Sequence, residues 1–299
     1  MKTNILNPKI GIIGKGFVGS AVAHGFSDAC GYSAQIKIYD KDPSRSLNSL
    51  EEVLLSDFVF VCLPSPMKNS DGSSSDLSYI FDFFNDEVVG RSAYNPVYIL
   101  KSTVPPGTTE KIAQSDDRIK IVHNPEFLTA ANAEKDFVNA ERTVIGGHPK
   151  FTSEVCSLYK HYFPFTPCIE MSSDESETVK YACNVFLTLK VTFFNMLSEF
   201  CENFENETNR PIDYENMMEG VVTDSRIGNS HTTVPGPDGD YGYGGTCFPK
   251  DINALIDSFD KFNVDSSLLR KSWDYNKKVR TNWDWESNPA SVSSNRYNA

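Results

Sequence analysis

The feature that most restricts what this chain can fold into is an alternation. Six short apolar runs, KIGIIG, QIKIYD, DFVFVCLP, VYILKST, IKIVHNP and RTVIGG, occupy the first half and are separated by stretches of helical pattern. They are rich in β-branched residues, and several stop at Gly, Pro, Asp, Ser or Thr, which reads as strands punctuated by turns. Strands alternating with helices imply βαβ units, so the expected fold class is α/β, a doubly wound parallel sheet covered on both faces. In such a sheet ligands sit beyond the carboxyl ends of the strands.

The pattern changes near residue 172. SSDESETVKYACNVFLTLKVTFFNMLSEFCENF carries a Ser172 to Glu175 capping signature followed by about thirty residues free of Pro and Gly, the reading of one long helix. That helix is apolar on more than one face, so it is expected to be buried against a partner element or a second subunit. Shorter helical patterns follow in RPIDYENMMEGVV, KDINALIDSF and SSLLRKSWDYNKKVR, and ESNPASVSSNRYNA reads as a polar, frayed end. The expected division is residues 1–171 for the sheet domain, 172–285 for an all-helical central domain that dimerises, and 286–299 for a flexible tail.

With 28 basic and 40 acidic residues scattered along the sequence, the net charge is −12, which argues against nucleic acid or an anionic membrane as the main partner. The N-terminus lacks a signal-peptide pattern and no apolar run is long enough to span a bilayer, so a soluble, cytoplasmic protein is expected. Cys30, Cys62, Cys156, Cys168, Cys183, Cys201 and Cys247 form no CxxC pair. Neither a metal site nor a disulfide framework is expected from that spacing, and most of these thiols read as small buried hydrophobes.

IGIIGKGFVGSAVA holds Gly14, Gly16 and Gly19 in GxGxxG spacing. A strand precedes the motif, a helix follows it, and Asp40 closes the next strand about twenty residues on, which completes a dinucleotide-binding fingerprint. The three glycines are assigned to the turn, to close approach of the pyrophosphate and to helix packing, with the helix N-terminus favouring the anion. Asp40 is expected to bind the adenosine ribose and so to favour NAD over NADP. Lys41, next to it, weakens that preference.

The second motif is YGYGGTCFPKD, which sets a thiol, Cys247, just after three glycines. A nicotinamide cofactor removes hydride from an alcohol or aldehyde carbon. A neighbouring thiolate permits a second oxidation, through a thiohemiacetal and then a thioester that water hydrolyses. An alcohol can thus become an acid in one site.

GYGGTCFPKD resembles the signature of the UDP-glucose dehydrogenase family of NAD-dependent nucleotide-sugar dehydrogenases. KIGIIGKGFVG, VCLPSP, LKSTVPPGT, HNPEFL, RTVIGG and ETVKYACNVFLTLKVTFFNML match that family in order, from about residue 9 to about residue 280. The resemblance implies a Rossmann domain and a helical dimerisation domain. It implies oxidation of a sugar C6 alcohol to the uronate, UDP-glucose being the foremost substrate, in a homodimer formed through the long helix. It further implies Cys247 as nucleophile and Asp251 as its assistant, with Lys180 and Asn184 binding the developing oxyanion. Thr103 orients the hydrolytic water on the cofactor side, and Glu126 serves as acid/base. By the same resemblance the cofactor lies along Gly14, Gly16, Phe17, Val18 and Gly19, and the substrate meets Phe127, Leu128, Tyr243, Gly244 and Arg226 besides Glu126, Lys180 and Asn184. Arg226 corresponds to an arginine that reaches a neighbouring subunit's substrate.

Each of these residues has a plain structural reading too: Cys247 a packed thiol, Asp251 a helix-start charge, Lys180 a solvated lysine, Thr103 a turn residue, Glu126 a loop carboxylate. Two departures from the family stand out. Ala130 replaces a second glutamate in the usual NPEFLxEG pattern, and the chain stops where a nucleotide-gripping domain is expected, as either a natively short form or a truncated product would. Two other functions therefore stay open: a hydroxyacid-type dehydrogenase transferring one hydride, and a weakly active NAD-binding dimer that serves a partner.

Overall fold

The computed structural model describes residues 7–32, 34–72, 74–91, 95–129 and 131–293. It divides into two compact units, one of residues 1–65 and 76–180 and the other of residues 66–75 and 181–299.

The N-terminal unit is a seven-stranded sheet of order β2-β1-β3-β4-β5-β6-β7. The strands are β1 (Lys9–Ile13), β2 (Gln35–Tyr39), β3 (Phe58–Val61), β4 (Val97–Leu100), β5 (Lys120–His123), β6 (Thr143–Gly147) and β7 (Cys168–Met171). Between them run α1 (Phe17–Gly25), α2 (Leu50–Leu54), α3 (Ser78–Asp82) continued by a wider turn to Val88, α4 (Thr108–Ala113), α5 (Ala133–Val138) and α6 (Pro149–Tyr162). All six runs read as strands from sequence are strands, and β3 and β4 are buried along their whole length, as parallel strands covered on both faces must be.

Successive side chains point to opposite faces, so one sheet builds two cores. Ile10, Ile12, Phe58, Phe60, Val97 and Ile99 face one cluster, which Phe26, Phe137, Tyr159 and Phe163 complete. Ile13, Val59, Val61, Tyr98 and Leu100 face the other, with Val53, Leu54, Ile80, Phe84 and Ile112. Phe26 centres the first, its ring packing against Phe60, Phe137, Tyr159, Tyr162 and Phe163.

Three features depart from the sequence expectations. β6 pairs antiparallel with β5 through Val122 and Gly147, so the sheet is mostly and not wholly parallel; periodicity identifies a strand but carries no direction. β7 was not anticipated, because its residues are exposed or half-buried, an edge-strand pattern without an apolar run. Cys156 and Cys168 form a disulfide, Cα atoms 6.0 Å apart, joining α6 to β7. That corrects the expectation of unpaired thiols: α6 runs back along β7 and juxtaposes residues whose spacing alone gave no signal.

A single helix, α7 (Ser173–Thr208), contributes to both units, the division falling after Lys180. Its start bears the expected capping box, Ser172 Oγ accepting from Glu175 N–H at 3.3 Å and Ser172 N–H donating to the Glu175 carboxylate at 2.8 Å. The C-terminal unit adds α8 (Tyr214–Val222), α9 (Phe248–Lys261) and α10 (Ser267–Val279). Its core joins Met67, Val185, Tyr243, Ile252, Ile256, Leu269, Trp273, Trp285 and Val292. Residues 66–75 belong here: Trp273 and Trp285 donate their indole N–H groups to the carbonyls of Asp71 and Ser70. Met67 N–H donates to Ser291 O at 2.7 Å and Ser293 N–H to Met67 O at 2.8 Å, with Ser291 and Val292 fully buried. The frayed reading of residues 286–299 therefore does not describe 286–293. The polar sequence hid a short backbone pairing that only Met67 reveals. Among the described residues no helix is long and apolar enough to cross a membrane, and no cluster of side chains suited to a metal ion occurs.

Candidate active site

The cofactor turn of the N-terminal unit uses its glycines in three different ways. Gly14, at φ +92°, is in the left-handed region, and a Cβ there would lie 2.7 Å from Cys62 O. A Cβ at Gly19 would lie 2.0 Å from Gly14 O, so this glycine lets α1 pack against the strand end. Nothing lies within 4 Å of a Cβ at Gly16, which starts α1 with no side-chain cap. Backbone N–H groups of an uncapped helix, open on the glycine side and with no acidic residue in the first turn, suit a pyrophosphate. Phe17 is exposed and Val18 half-buried on that first turn. Asp40, just past β2, accepts from Lys15 N–H at 2.6 Å and Asp42 N–H at 2.9 Å, which holds the carboxylate beside the glycine turn. These residues fit a dinucleotide.

At the carboxyl ends of β4 and β5 lies a buried ionic group. Lys180 donates to the Glu126 carboxylate at 2.9 Å and to its backbone carbonyl at 2.6 Å, both side chains being under a tenth exposed. Burial by itself would raise the Glu126 carboxyl. The Lys180 charge and hydrogen bond, the Leu128 N–H at 2.7 Å and the Lys101 charge outweigh it and hold the group below the usual carboxylate range. The Phe127 ring centroid is 4.6 Å from the Arg142 guanidinium and 5.5 Å from the Lys180 ammonium. Lys101, buried at the end of β4, donates to Asn124 Oδ1 at 3.0 Å. Burial pushes its ammonium down to about 8, the Lys180 charge acting in the same sense.

Thr103 is buried, and its carbonyl accepts from Ser65 Oγ at 2.6 Å. The turn around it is anchored twice from α7. Glu177 accepts from Gly107 N–H at 2.7 Å, Thr109 N–H at 2.8 Å and Thr109 Oγ1 at 2.6 Å, which fixes the start of α4. His123 contacts Ser176 Oγ at 2.7 Å through Nδ1 and Ser102 O at 3.3 Å through Nε2. A carbonyl only accepts, so Nε2 carries the proton and Nδ1 accepts from the serine. Lys101, His123 and Glu177 went unnoticed in the sequence, because each takes its role from a partner on another element. Ala130, the position of the departure from NPEFLxEG, lies outside the described residues.

In the C-terminal unit, Cys247 immediately precedes α9 and is half-buried, with Thr246 Oγ1 3.7 Å from its sulfur. Pro249 in the first turn suits a helix start, and the Asp251 N–H donates to Cys247 O at 2.9 Å. Cys247 and Asp251 are thus one turn apart at the positive end of a helix, as the spacing predicts. Asp251 is fully buried and takes Asn184 Nδ2 at 2.6 Å on one oxygen and Lys250 Nζ at 2.5 Å on the other. Lys250 was overlooked although it adjoins Asp251. Lys180 and Asn184 are also one turn apart, on α7.

Three further expected substrate residues, Tyr243, Gly244 and Arg226, lie in the same unit. The Tyr243 ring is 3% exposed and packs on Phe248 and Trp273. Gly244 faces Arg280: a Cβ there would lie 2.1 Å from Nη2. Arg226 is exposed and forks onto Asp224 of its own loop, Nη2 to Oδ2 at 2.6 Å.

The chain matches two family models, the NAD-binding domain of the UDP-glucose/GDP-mannose dehydrogenase family over residues 45–163 and the central domain of the same family over residues 174–278. It is 32% identical over 237 residues to a UDP-glucose 6-dehydrogenase of Rickettsia conorii, covering 77% of this chain and 51% of that protein. It is 34% identical over 214 residues to one of Rhizobium meliloti, covering 68% of this chain and 46% of that protein. The chain therefore spans about half the length of these curated relatives. Among solved structures, a UDP-glucose dehydrogenase from Pyrobaculum islandicum superposes with a TM-score of 0.78 at 28% identity, over 91% of this chain and 68% of that one. A 3-hydroxyisobutyrate dehydrogenase from Mycobacterium tuberculosis superposes over 93% of this chain and 96% of that one with a TM-score of 0.68, but at 15% identity shares the fold alone. Fold, cofactor turn and two successive family domains agree: the chain belongs to the UDP-glucose/GDP-mannose dehydrogenase family, and its cofactor is NAD.

Proposed function

We propose that this protein oxidises the C6 alcohol of a nucleotide sugar, UDP-glucose foremost, to the carboxylate in the cytoplasm. The observation that carries the reading is the group at the start of α9: Cys247 one turn from a buried Asp251 held by Asn184 and Lys250. The Gly14–Gly19 turn and Asp40 would hold NAD, which would supply the hydride acceptor at each oxidation level. The alcohol proton passes to solvent as the aldehyde forms, and Glu126, held ionised by Lys180 and Lys101, serves as acid/base during hydrolysis of the thioester. The Cys247 thiolate then adds to the C6 aldehyde, forming a carbon–sulfur bond and a thiohemiacetal oxyanion, which Lys180 and Asn184 are suited to stabilise. Loss of a second hydride leaves a thioester. Water, oriented by Thr103, attacks it, the carbon–sulfur bond breaks, and the thiol and the acid are released. One alcohol, one water and two NAD⁺ give one carboxylate, two NADH and three protons.

Phe186, Phe193, Met196 and Phe200 on α7 are 67%, 58%, 53% and 54% exposed and recur at the spacing of a helix seam. A stripe of that size supports a homodimer formed through α7. Phe193→Glu with Met196→Glu is expected to give a particle of half the mass in sedimentation equilibrium; an unchanged mass removes α7 from the interface.

The central test counts NADH per sugar consumed with UDP-glucose, then with GDP-mannose and UDP-N-acetylmannosamine. Two per sugar is the expected result. One per sugar makes the protein a single-hydride dehydrogenase in which Cys247 has no chemical task, and none with NAD bound favours a weakly active partner protein.

A further inference from the structure

The glycines before Cys247 invite the assumption that they clear space for a ligand, and two of them instead make room for side chains of the protein. Gly242 has φ +69°, and a Cβ there would lie 2.3 Å from Asn276 Oδ1. A Cβ at Gly244 would lie 2.1 Å from Arg280 Nη2 and 2.5 Å from Asp284 Oδ1. Nothing lies within 4 Å of one at Gly245.

The same side chains hydrogen-bond the backbone they crowd. Asn276, fully buried on α10, accepts from Tyr243 N–H at 2.7 Å and donates to Tyr243 O at 2.9 Å, so one carboxamide satisfies both backbone polar groups of a buried residue. Asn195 Oδ1 accepts from Gly242 N–H at 2.9 Å, and Asp284 Oδ2 from Gly245 N–H at 2.9 Å. Arg280, with a side chain 2% exposed, donates to Tyr241 O at 3.3 Å and pairs with Asp238 at 2.5 Å and Asp284 at 3.4 Å. Residues 241–245 lie outside any helix or strand, so their conformation rests on these bonds. The clamped stretch ends two residues before the thiol.

We propose that Asn276 and Arg280 are positioning residues for Cys247, which they act on by clamping the backbone of residues 241–245. The inference rests on the reading of Cys247 as nucleophile. A nucleophile delivered by a turn needs its position held to a fraction of an ångström, and a turn rich in glycine supplies no such rigidity on its own. The glycines and the clamp are then two halves of one device, the missing Cβ atoms being what lets the side chains reach the backbone.

The test uses the full chain. Asn276→Ala is expected to accelerate amide exchange in peptides covering 241–247 by roughly ten-fold or more, to lower kcat by roughly ten- to a hundred-fold, and to leave KM for NAD unchanged. Asn276→Asp keeps the acceptor for Tyr243 N–H and loses the donor, so it serves if the alanine variant does not fold, with a smaller loss in the same direction. Gly244→Ala and Arg280→Ala disrupt one contact from its two sides, so the double variant is expected to be no slower than the slower single one. Losses that multiply in the double variant, or kcat within two-fold of wild type for Asn276→Ala, overturn the proposal. If the wild type forms no NADH from any nucleotide sugar, the functional reading fails and the clamp is still decided by alkylation of Cys247 with iodoacetamide, followed by mass spectrometry. A rate for Asn276→Ala equal to that of wild type overturns the clamp, and a changed rate with accelerated exchange upholds it.

Discussion

The two glycine turns of this protein look alike in sequence and do opposite things. At residues 14–19 the turn is set by backbone against backbone, Gly19 under Gly14 and Gly14 against Cys62, and the middle glycine, Gly16, is left open. At residues 242–245 the turn is set by side chains from elsewhere, Asn276 and Arg280 filling the places where Cβ atoms would be. In the first turn Gly14 N–H and Lys15 N–H are taken by Tyr39 O and Asp40, and what is left for a ligand is the uncapped start of α1 beside the open Gly16. A turn whose N–H groups are taken by protein side chains has its ligand chemistry carried by the next side chain, here a thiol. Glycine spacing alone does not separate these two uses; what lies where a Cβ would be does.

The largest expected effect tests the second turn. Cys247→Ser should lower acid formation by about a thousand-fold or more while NAD affinity by titration calorimetry stays at the wild-type value. Acid production at the normal rate would leave the clamped turn with nothing to present. A paired substitution separates the turns next. Gly16→Ala adds a methyl to open space at a permitted φ, so urea unfolding should move by no more than about 0.5 kcal/mol while NAD affinity falls roughly ten-fold. Gly244→Ala should do the reverse, costing about 1–3 kcal/mol in unfolding through displacement of Arg280 and leaving NAD affinity alone. Equal stability losses in both variants would erase the distinction.

Legibility in the sequence follows the same division between local and distant causes. The six apolar strands, the capping box at Ser172 and the one-turn spacing of Cys247 and Asp251 were readable because each depends on neighbours a few residues away. β7 was not, since an edge strand need not be apolar. The Cys156–Cys168 disulfide and the pairing of Met67 with residues 291–293 require tertiary juxtaposition. In the site, Lys180 and Glu126 were identified by resemblance, but their ion pair joins residues 54 apart and no local pattern announces it. Asn276 and Arg280 lie in SWDYNKKVRTN, which reads only as a helical pattern, and their contacts show that both are buried.

The smallest effect concerns the turn that carries Thr103, a third case in which side chains hold a loop. Burial pushes His123 down to about 3, and the Lys101 and Lys180 charges act in the same sense against its hydrogen bond to Ser102. The folded protein thus keeps this imidazole neutral at pH values where the unfolded chain protonates it, near 6.5. Between about 6.5 and 3 the unfolded state binds the extra proton, so stability falls as pH falls, by at most about 1.4 kcal/mol per pH unit from this one group. Burial pushes Glu177 up to about 7 against its three donors, and since the folded state then holds the extra proton, that group has the opposite slope between about 4.5 and 7. The two oppose each other in the wild type, and only a difference measurement isolates His123. Urea unfolding at pH 7, 6 and 5 for wild type and His123→Gln cancels the Glu177 contribution. The variant should be less stable at pH 7, through weakened bonds to Ser176 and Ser102, and should lose less on acidification, so the two curves converge toward pH 5. Parallel curves would mean that His123 is already doubly protonated in the folded state, against the burial that disfavours its charge.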